Sequence, residues 1–581
     1  MHSCKLTQNL DSWEEILSDD FDKDFIFSGI ENGFHVVDQT DIVQNVHCKN
    51  YKSILEDSVK DIAEDQIRHE IDVQNYIVCS SQPQIVSSLG AILKENGKVR
   101  LIHDCSRPDN VSVNSYASTS HFKYQTVDDV VEKLPKNGFM AKVDLSSAYR
   151  SVPLHPSCYQ FMGLYWLFEG DTAPTYMVDT RLAFGLAKAP EIFQRISNSI
   201  VRYMKRQGFC VVCYLDDYLI IDADEKHCKE GYELLQDVLQ RLGFDINVKK
   251  LEPPVQIITF LGIEIDSINS TLSLPGKKLE ELSEELAKWQ TKNKATKHEL
   301  QQLIGKLNWG AKVIKGGRTF LRRLIDLMCT LKRKHHHVRL NSSAKADIQW
   351  WANYISIFNG TASFIDKPVP SSSFTTDACL RGGGGAYKAD WFYSHWETDF
   401  PDVADLHINL KEIFTVFLAS IRWAQSWQNQ HIVVYSDNAA TVFMINKGSS
   451  RNSIAMVWLR QLFWLSAVFN FHLTARHIKG KDNVISDVIS RLDDFSIYEW
   501  VDFLSVHGLD MEVPKHISPR SMHFLLFQNQ NGNHSNRNVL DTKKQHMPPQ
   551  QKQPTARCGM HSYDFVSTSA RPLCPRQERQ C

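Results

Sequence analysis

The chain has 581 residues, 43% of them hydrophobic, enough for several buried cores, and about three or four domains are expected from that length. Its 13 cysteines are scattered singly, which excludes a small disulfide-stapled module and points to a reducing, intracellular setting, cytoplasmic or nuclear. The formal net charge is −2 and no apolar run reaches transmembrane length, so a soluble chain with no membrane partner is expected.

Residues 1–80 carry 17 Asp/Glu against 6 Lys/Arg. That excess repels phosphate, so the segment reads as an acidic extension outside any nucleic-acid grip. Its start (Asp11, Glu14, Glu15, Asp19, Asp20) is too acidic for a signal or transit peptide. Residues 90–104 (GAILKENGKVRLIHD) predict two strands joined by a Glu-Asn-Gly turn, with Lys94 and Arg100 as cations near the tip. Residues 141–154 (AKVDLSSAYRSVPL) predict an apolar strand ending at Asp144, with the aromatic Tyr149 five positions on. In 182–193 (LAFGLAKAPEIF) Gly185 makes a turn into a helix and permits close backbone approach.

Residues 209–222 (FCVVCYLDDYLIID) place Asp216 and Asp217 at the crest of a hydrophobic strand-turn-strand. Burying such a pair without a partner is costly, whereas a divalent metal is held by oxygen ligands of this kind. Cys210 and Cys213 are at odd spacing on a strand, so they face opposite ways and zinc is not expected. Residues 247–250 (NVKK) add Lys249 and Lys250, and 260–265 (FLGIEI) add another apolar strand. From 271 to 345 the balance inverts to 17 Lys/Arg against 6 Asp/Glu, a stripe suited to a phosphate backbone. Here Leu279, Leu282, Leu286 and Trp289 recur at helical spacing, and Thr296 to Glu299 is a capping box opening a second helix with Leu300, Leu303, Ile304 and Leu307 on one face.

A second acidic set follows. Asp377 lies in 375–379 (TTDAC) before the glycine run 382–385; Glu412 opens an apolar helix in 411–414 (KEIF); Asp437 ends a strand in 433–438 (VVYSDN); His477 and Asp487 bracket 477–487 (HIKGKDNVISD). Residues 528–581 are rich in Gln, Asn, Pro and Lys/Arg with few periodic apolar positions, a composition expected to stay disordered.

The first set, in this order, resembles a reverse transcriptase. The resemblance implies an α/β (α+β) fold of right-hand fingers, palm and thumb, with Asp144, Asp216 and Asp217 holding Mg²⁺, two ions per active site, Mn²⁺ being an alternative. It implies that Lys94 and Arg100 grip the triphosphate and that Tyr149 excludes a ribose 2′-OH, a core-filling aromatic being the plainer reading. It further implies that Gly185 supports template and nucleotide, and that Lys249 or Lys250 protonates pyrophosphate. Phe184 stands where many retroviral enzymes have Gln, a departure shared with retrotransposon-type sequences.

The second set resembles ribonuclease H, with Asp377, Glu412, Asp437 and Asp487 around a second metal pair and His477 handling protons. Asn483 and Asp487 keep the family spacing, which sets Asp487 ahead of Asp482. The runs 303–314 and 317–325 resemble the DIRS-type (tyrosine-recombinase) retrotransposon polymerases.

The expected organisation is therefore 1–80 acidic extension, 81–270 fingers and palm, 271–365 basic helical thumb and connection, 366–495 ribonuclease H-like mixed-sheet domain, and 496–581 a mostly disordered extension. The expected partners are an RNA template, a DNA primer, dNTPs and the RNA–DNA hybrid. The competing reading is a domesticated or decayed retroelement copy that binds nucleic acid without catalysis.

Overall fold

The computed structural model describes residues 4–38, 45–93, 97, 99–120, 122–360, 362–363 and 372–509, so Lys94 and the segment 528–581 lie outside the described residues. Its centre is a four-stranded antiparallel sheet in the order Glu252–Val255, Phe139–Asp144, Asp217–Asp222, Cys210–Tyr214. The middle strands are apolar at nearly every position because both faces are covered, an arrangement in which alternation disappears. Ala141, Val143, Val211, Cys213, Tyr218 and Ile220 turn into a core with the helices Ala189–Arg206 and Glu225–Arg241. Met140, Val212, Leu219 and Ile221 turn the other way, into a core shared with the helices Val127–Lys133, Gly276–Thr291, Lys297–Gly310 and Ser342–Phe358. The capping box at Thr296 and Glu299 is formed.

The acidic segment is not a separate extension. Its strands Val46–His47 and Tyr76–Val78 are the two edges of a five-stranded sheet whose inner strands are Ile85–Val86, Gly163–Trp166 and Thr175–Asp179. Trp13 is fully buried in the core beneath the four-stranded sheet, its indole N–H donating to the Leu242 carbonyl at 3.2 Å. Much of the negative charge is met by tertiary partners: Arg202 binds Asp20 (2.7 Å), Arg195 binds Asp22, and Arg150 binds Glu70 (2.7 Å). The expected boundary at 270/271 also falls inside a sheet, since Ile257–Phe260, Ile263–Asp266 and Thr271–Ser273 are successive antiparallel neighbours.

The C-terminal lobe is a five-stranded mixed sheet in the order Asp390–His395, Gly382–Tyr387, Ser372–Ala378, His431–Ser436, His472–His477, antiparallel among the first three and parallel from Ser372–Ala378 onward. The glycine run is one of these strands, and its bareness has a packing cause. A Cβ on Gly383 would lie 2.4 Å from Trp396 and 2.6 Å from Thr415, while one on Gly384 would lie 2.4 Å from Ile489, so helices Ile408–Trp423 and Val484–Ser490 close on opposite faces. Residues 496–509 are not a loose tail: helix Ile497–Val506 lays Trp500 edge-on against Trp391 at 4.9 Å. Phe463, on helix Ser453–Val468, packs into the core of the helical segment, and buried Arg460 reaches Asp347 there at 3.5 Å. Among the described residues no helix is long and apolar enough to cross a membrane.

Candidate functional site

The antiparallel register sets Asp217 directly opposite Asp144, and Asp216 occupies the turn beside them. That turn is held from outside. Leu215 sits in the left-handed region (φ +53°), its N–H donates to Gln194 Oε1 (2.9 Å), and its carbonyl accepts from Ser197 Oγ (2.8 Å), both on helix Ala189–Arg206. Asp144 is buried and accepts from Asn247 Nδ2 (3.0 Å) and Lys250 Nζ (2.9 Å).

Two of the three carboxylates, Asp216 and Asp217, sit in a field that opposes their ionisation. Burial first, then the hydrogen bond and charge of Asp144, push Asp217 up to about 7. Burial and the Asp144 charge also raise Asp216, against the pull of Lys250 and Arg100. Burial works to lower Lys250, but its bond to Asp144 and the three negative charges carry it upward. Negative groups crowded until one resists ionising, with oxygen donors only, fit a hard divalent cation.

Asp144 and Asp216 line a cavity of about 1080 Å³ whose walls include Arg100, Tyr149, Phe184 and Lys249. Tyr149 is half-buried, its ring 5.2 Å from Phe184 and 5.5 Å from Phe193, and burial raises its hydroxyl. The Arg100 guanidinium lies 4.8 Å over the ring of the same Phe184. Gly185 has φ +129°, and a Cβ there would lie 1.9 Å from the His103 carbonyl, so the close approach is to strand Val99–Asp104 of the chain itself. Of the two lysines left open by the sequence, Lys250 contacts a carboxylate, while Lys249 is exposed at the cavity wall. Asn247, Gln194 and Ser197 were not singled out by sequence, since short polar side chains beside charged ones carry no pattern of their own.

The second set gathers at the ends of two parallel strands. Asp377, Glu412 and Asp437 bring one oxygen each within 4.8 Å of one another. Glu412 Oε2 is buried without a hydrogen-bond partner among the described residues. Burial, reinforced by Asp377 and Asp437, pushes Glu412 up to about 9; burial pushes Asp377 up to about 6 although Ser490 Oγ donates to it at 2.6 Å. An orphaned buried carboxylate oxygen among three acids fits a divalent cation. Asp487 stands apart from this trio, half exposed and bound to Arg491 at 2.7 Å, though its charge still reaches Asp377. His477 Nε2 lies 3.0 Å from the Asp437 carbonyl, at the rim.

Comparison with known proteins bears on the first centre. Residues 92–265, which carry all three of its carboxylates, match the family described as Reverse transcriptase (RNA-dependent DNA polymerase). The chain contains a reverse-transcriptase domain. Its relatives are polyproteins of viruses and transposons. The putative enzymatic polyprotein of Cassava vein mosaic virus is 22% identical over 415 residues, covering 68% of this chain and 59% of the relative. The enzymatic polyprotein of Figwort mosaic virus (strain DxS) is 25% identical over 329 residues, 53% of this chain and 44% of the relative. The Transposon Tf2-3 polyprotein of Schizosaccharomyces pombe (strain 972 / ATCC 24843) is 25% identical over 427 residues, 69% of this chain and 28% of the relative. The chain thus spans 59% or less of these relatives. Among solved structures, the foamy viral protease-reverse transcriptase in complex with dsDNA aligns with TM-score 0.49 at 14% identity, over 81% of this chain and 97% of that one.

Proposed function

We propose that the chain is an RNA-directed DNA polymerase with coupled ribonuclease H activity, acting on an RNA template, a DNA primer, dNTPs and the hybrid it makes. The observation that carries this reading is the meeting of Asp144, Asp216 and Asp217 beside the large cavity that Asp144 and Asp216 line, inside the family-matching stretch. Asp144, Asp216 and Asp217 would hold Mg²⁺ or Mn²⁺, which when bound activates the primer 3′-OH and neutralises charge on the departing pyrophosphate. Arg100 offers the triphosphate a planar fork, Lys249 a point charge, and Lys250 a proton for the pyrophosphate. Tyr149, braced on Phe184, stands as the barrier to a ribose 2′-OH.

In the C-terminal lobe Asp377, Glu412 and Asp437, completed by Asp487, would hold the cations for cleavage of the RNA strand, with His477 moving protons at the rim. The orphaned Glu412 oxygen supports this assignment. Kinship to DIRS-type elements rests on the runs 303–314 and 317–325 alone. The test is primer extension on poly(rA)/oligo(dT) with divalent metal added and withheld. Metal-dependent extension is expected; a folded protein that binds the hybrid and never extends would favour the non-catalytic reading.

A further inference from the structure

Next to Tyr149 in the chain and lining the same cavity with Glu70 and Asp179, Arg150 is clamped from two sides. Its guanidinium donates to both oxygens of Asp179 at 2.8 Å each, and to Glu70 Oε2 at 2.7 Å through a terminal nitrogen and 3.3 Å through Nε. Glu70 is itself fixed by Asn75 Nδ2 (2.8 Å) and Gln66 Nε2 (3.0 Å). Glu70 and Gln66 belong to helix Asp57–Asp72, in the acidic segment that the charge balance alone sets outside the polymerase. Asp179 ends strand Thr175–Asp179 and also accepts the Arg181 N–H at 3.0 Å, so both carboxylates are anchored to regular structure. The guanidinium is thus held in a planar, multiply hydrogen-bonded geometry that no other side chain reproduces.

Arg150 and Tyr149 are consecutive in the single turn Ala148–Ser151, which follows Ser147 in the left-handed region (φ +55°) and carries no other long polar anchor. Holding the Arg150 side chain on both sides restrains the short backbone turn that also carries Tyr149. The Tyr149 ring, in turn, leans on Phe184. We propose that Glu70 and Asp179, acting through Arg150, are positioning residues for Tyr149, so that sugar discrimination at the polymerase site depends on a helix of the acidic segment. The inference rests on the polymerase reading above.

The experiment measures kcat and KM for dNTP and for rNTP incorporation by the full chain, comparing Glu70→Gln, Arg150→Lys and Tyr149→Val with the unaltered protein. Glu70→Gln keeps the size and the Asn75 partner but removes the charge that orients Arg150. It is expected to lower deoxy-over-ribo selectivity by about tenfold, mainly through a lower KM for rNTP, with dNTP turnover changed less than the selectivity. In a Tyr149→Val background the same substitution should add no further loss, because residues acting through one group are not additive. Should Arg150→Lys fail to fold, Glu70→Gln still decides. Selectivity unchanged in Glu70→Gln while Tyr149→Val relaxes it, or an equal loss for both sugars, or full additivity in the double variant, overturns the proposal. Absence of any extension by the unaltered protein overturns the polymerase reading instead, and the proposal with it.

Discussion

Replacing Glu412 by Gln should stabilise the metal-free protein. The carboxyl ordinarily titrates near 4.5 and is pushed up to about 9 by burial and by Asp377 and Asp437. A folded-state value above the unfolded one means that stability is fully present below pH 4.5 and is lost progressively as pH rises toward about 9. At ~1.4 kcal/mol per pH unit, the protonation that folding demands costs about 3 kcal/mol at pH 7 and under about 1 kcal/mol at pH 5. Glutamine removes that cost, and its amide can donate to the neighbouring carboxylates, where Oε2 now has no partner among the described residues. Thermal unfolding without divalent metal should therefore show Glu412→Gln melting roughly 6–12 °C above the unaltered protein at pH 7, with most of the gap gone at pH 5. Added Mg²⁺ should narrow the gap at pH 7, because it stabilises only a protein that binds it. A variant that melts lower at pH 7, or a gap independent of pH, would refute the crowding of charge on which the assignment of this centre depends.

Gly185→Ala should destabilise by several kcal/mol, since the added carbon meets the His103 carbonyl at 1.9 Å in a backbone region closed to other residues; urea unfolding within about 1 kcal/mol of the parent would contradict it. Tyr149→Val should raise ribonucleotide incorporation, because selection by clash is lost without loss of any attraction; unchanged discrimination would return the residue to a purely packing role.

The parts of this architecture legible in the sequence are those written in short-range pattern. Apolar runs that end in Asp144 and surround Asp216 and Asp217 identify buried strands with acidic tips, and the antiparallel register then brings the three together. Thr296 and Glu299 are three residues apart, and their capping box follows from that spacing. What the sequence conceals depends on partners far along the chain. Asp20 and Asp22 read as free negative charge until Arg202 and Arg195 are seen beside them, and Glu70 reads as surface until it meets Arg150, 80 residues on. The glycine run carries no side-chain pattern to mark it, yet it is an inner strand of the sheet, because two helices need its bare faces. Asp487 keeps its place in the sequence pattern, but its carboxylate pairs with Arg491, one helical turn later, and is not among the three acids whose oxygens meet. Nothing in the motif encodes that pairing.

The central claim is that one chain carries two separate acid-lined centres, each with its own chemistry. A single preparation assayed for primer extension and for cleavage of a labelled RNA–DNA hybrid tests it, with Asp216→Asn and Asp437→Asn run side by side. The account predicts that Asp216→Asn abolishes extension while hybrid binding and RNA cleavage persist, and that Asp437→Asn abolishes cleavage while extension persists, as expected for distant, independent sites. Loss of both activities together in either folded variant, or extension surviving Asp216→Asn at the parent rate, would contradict it.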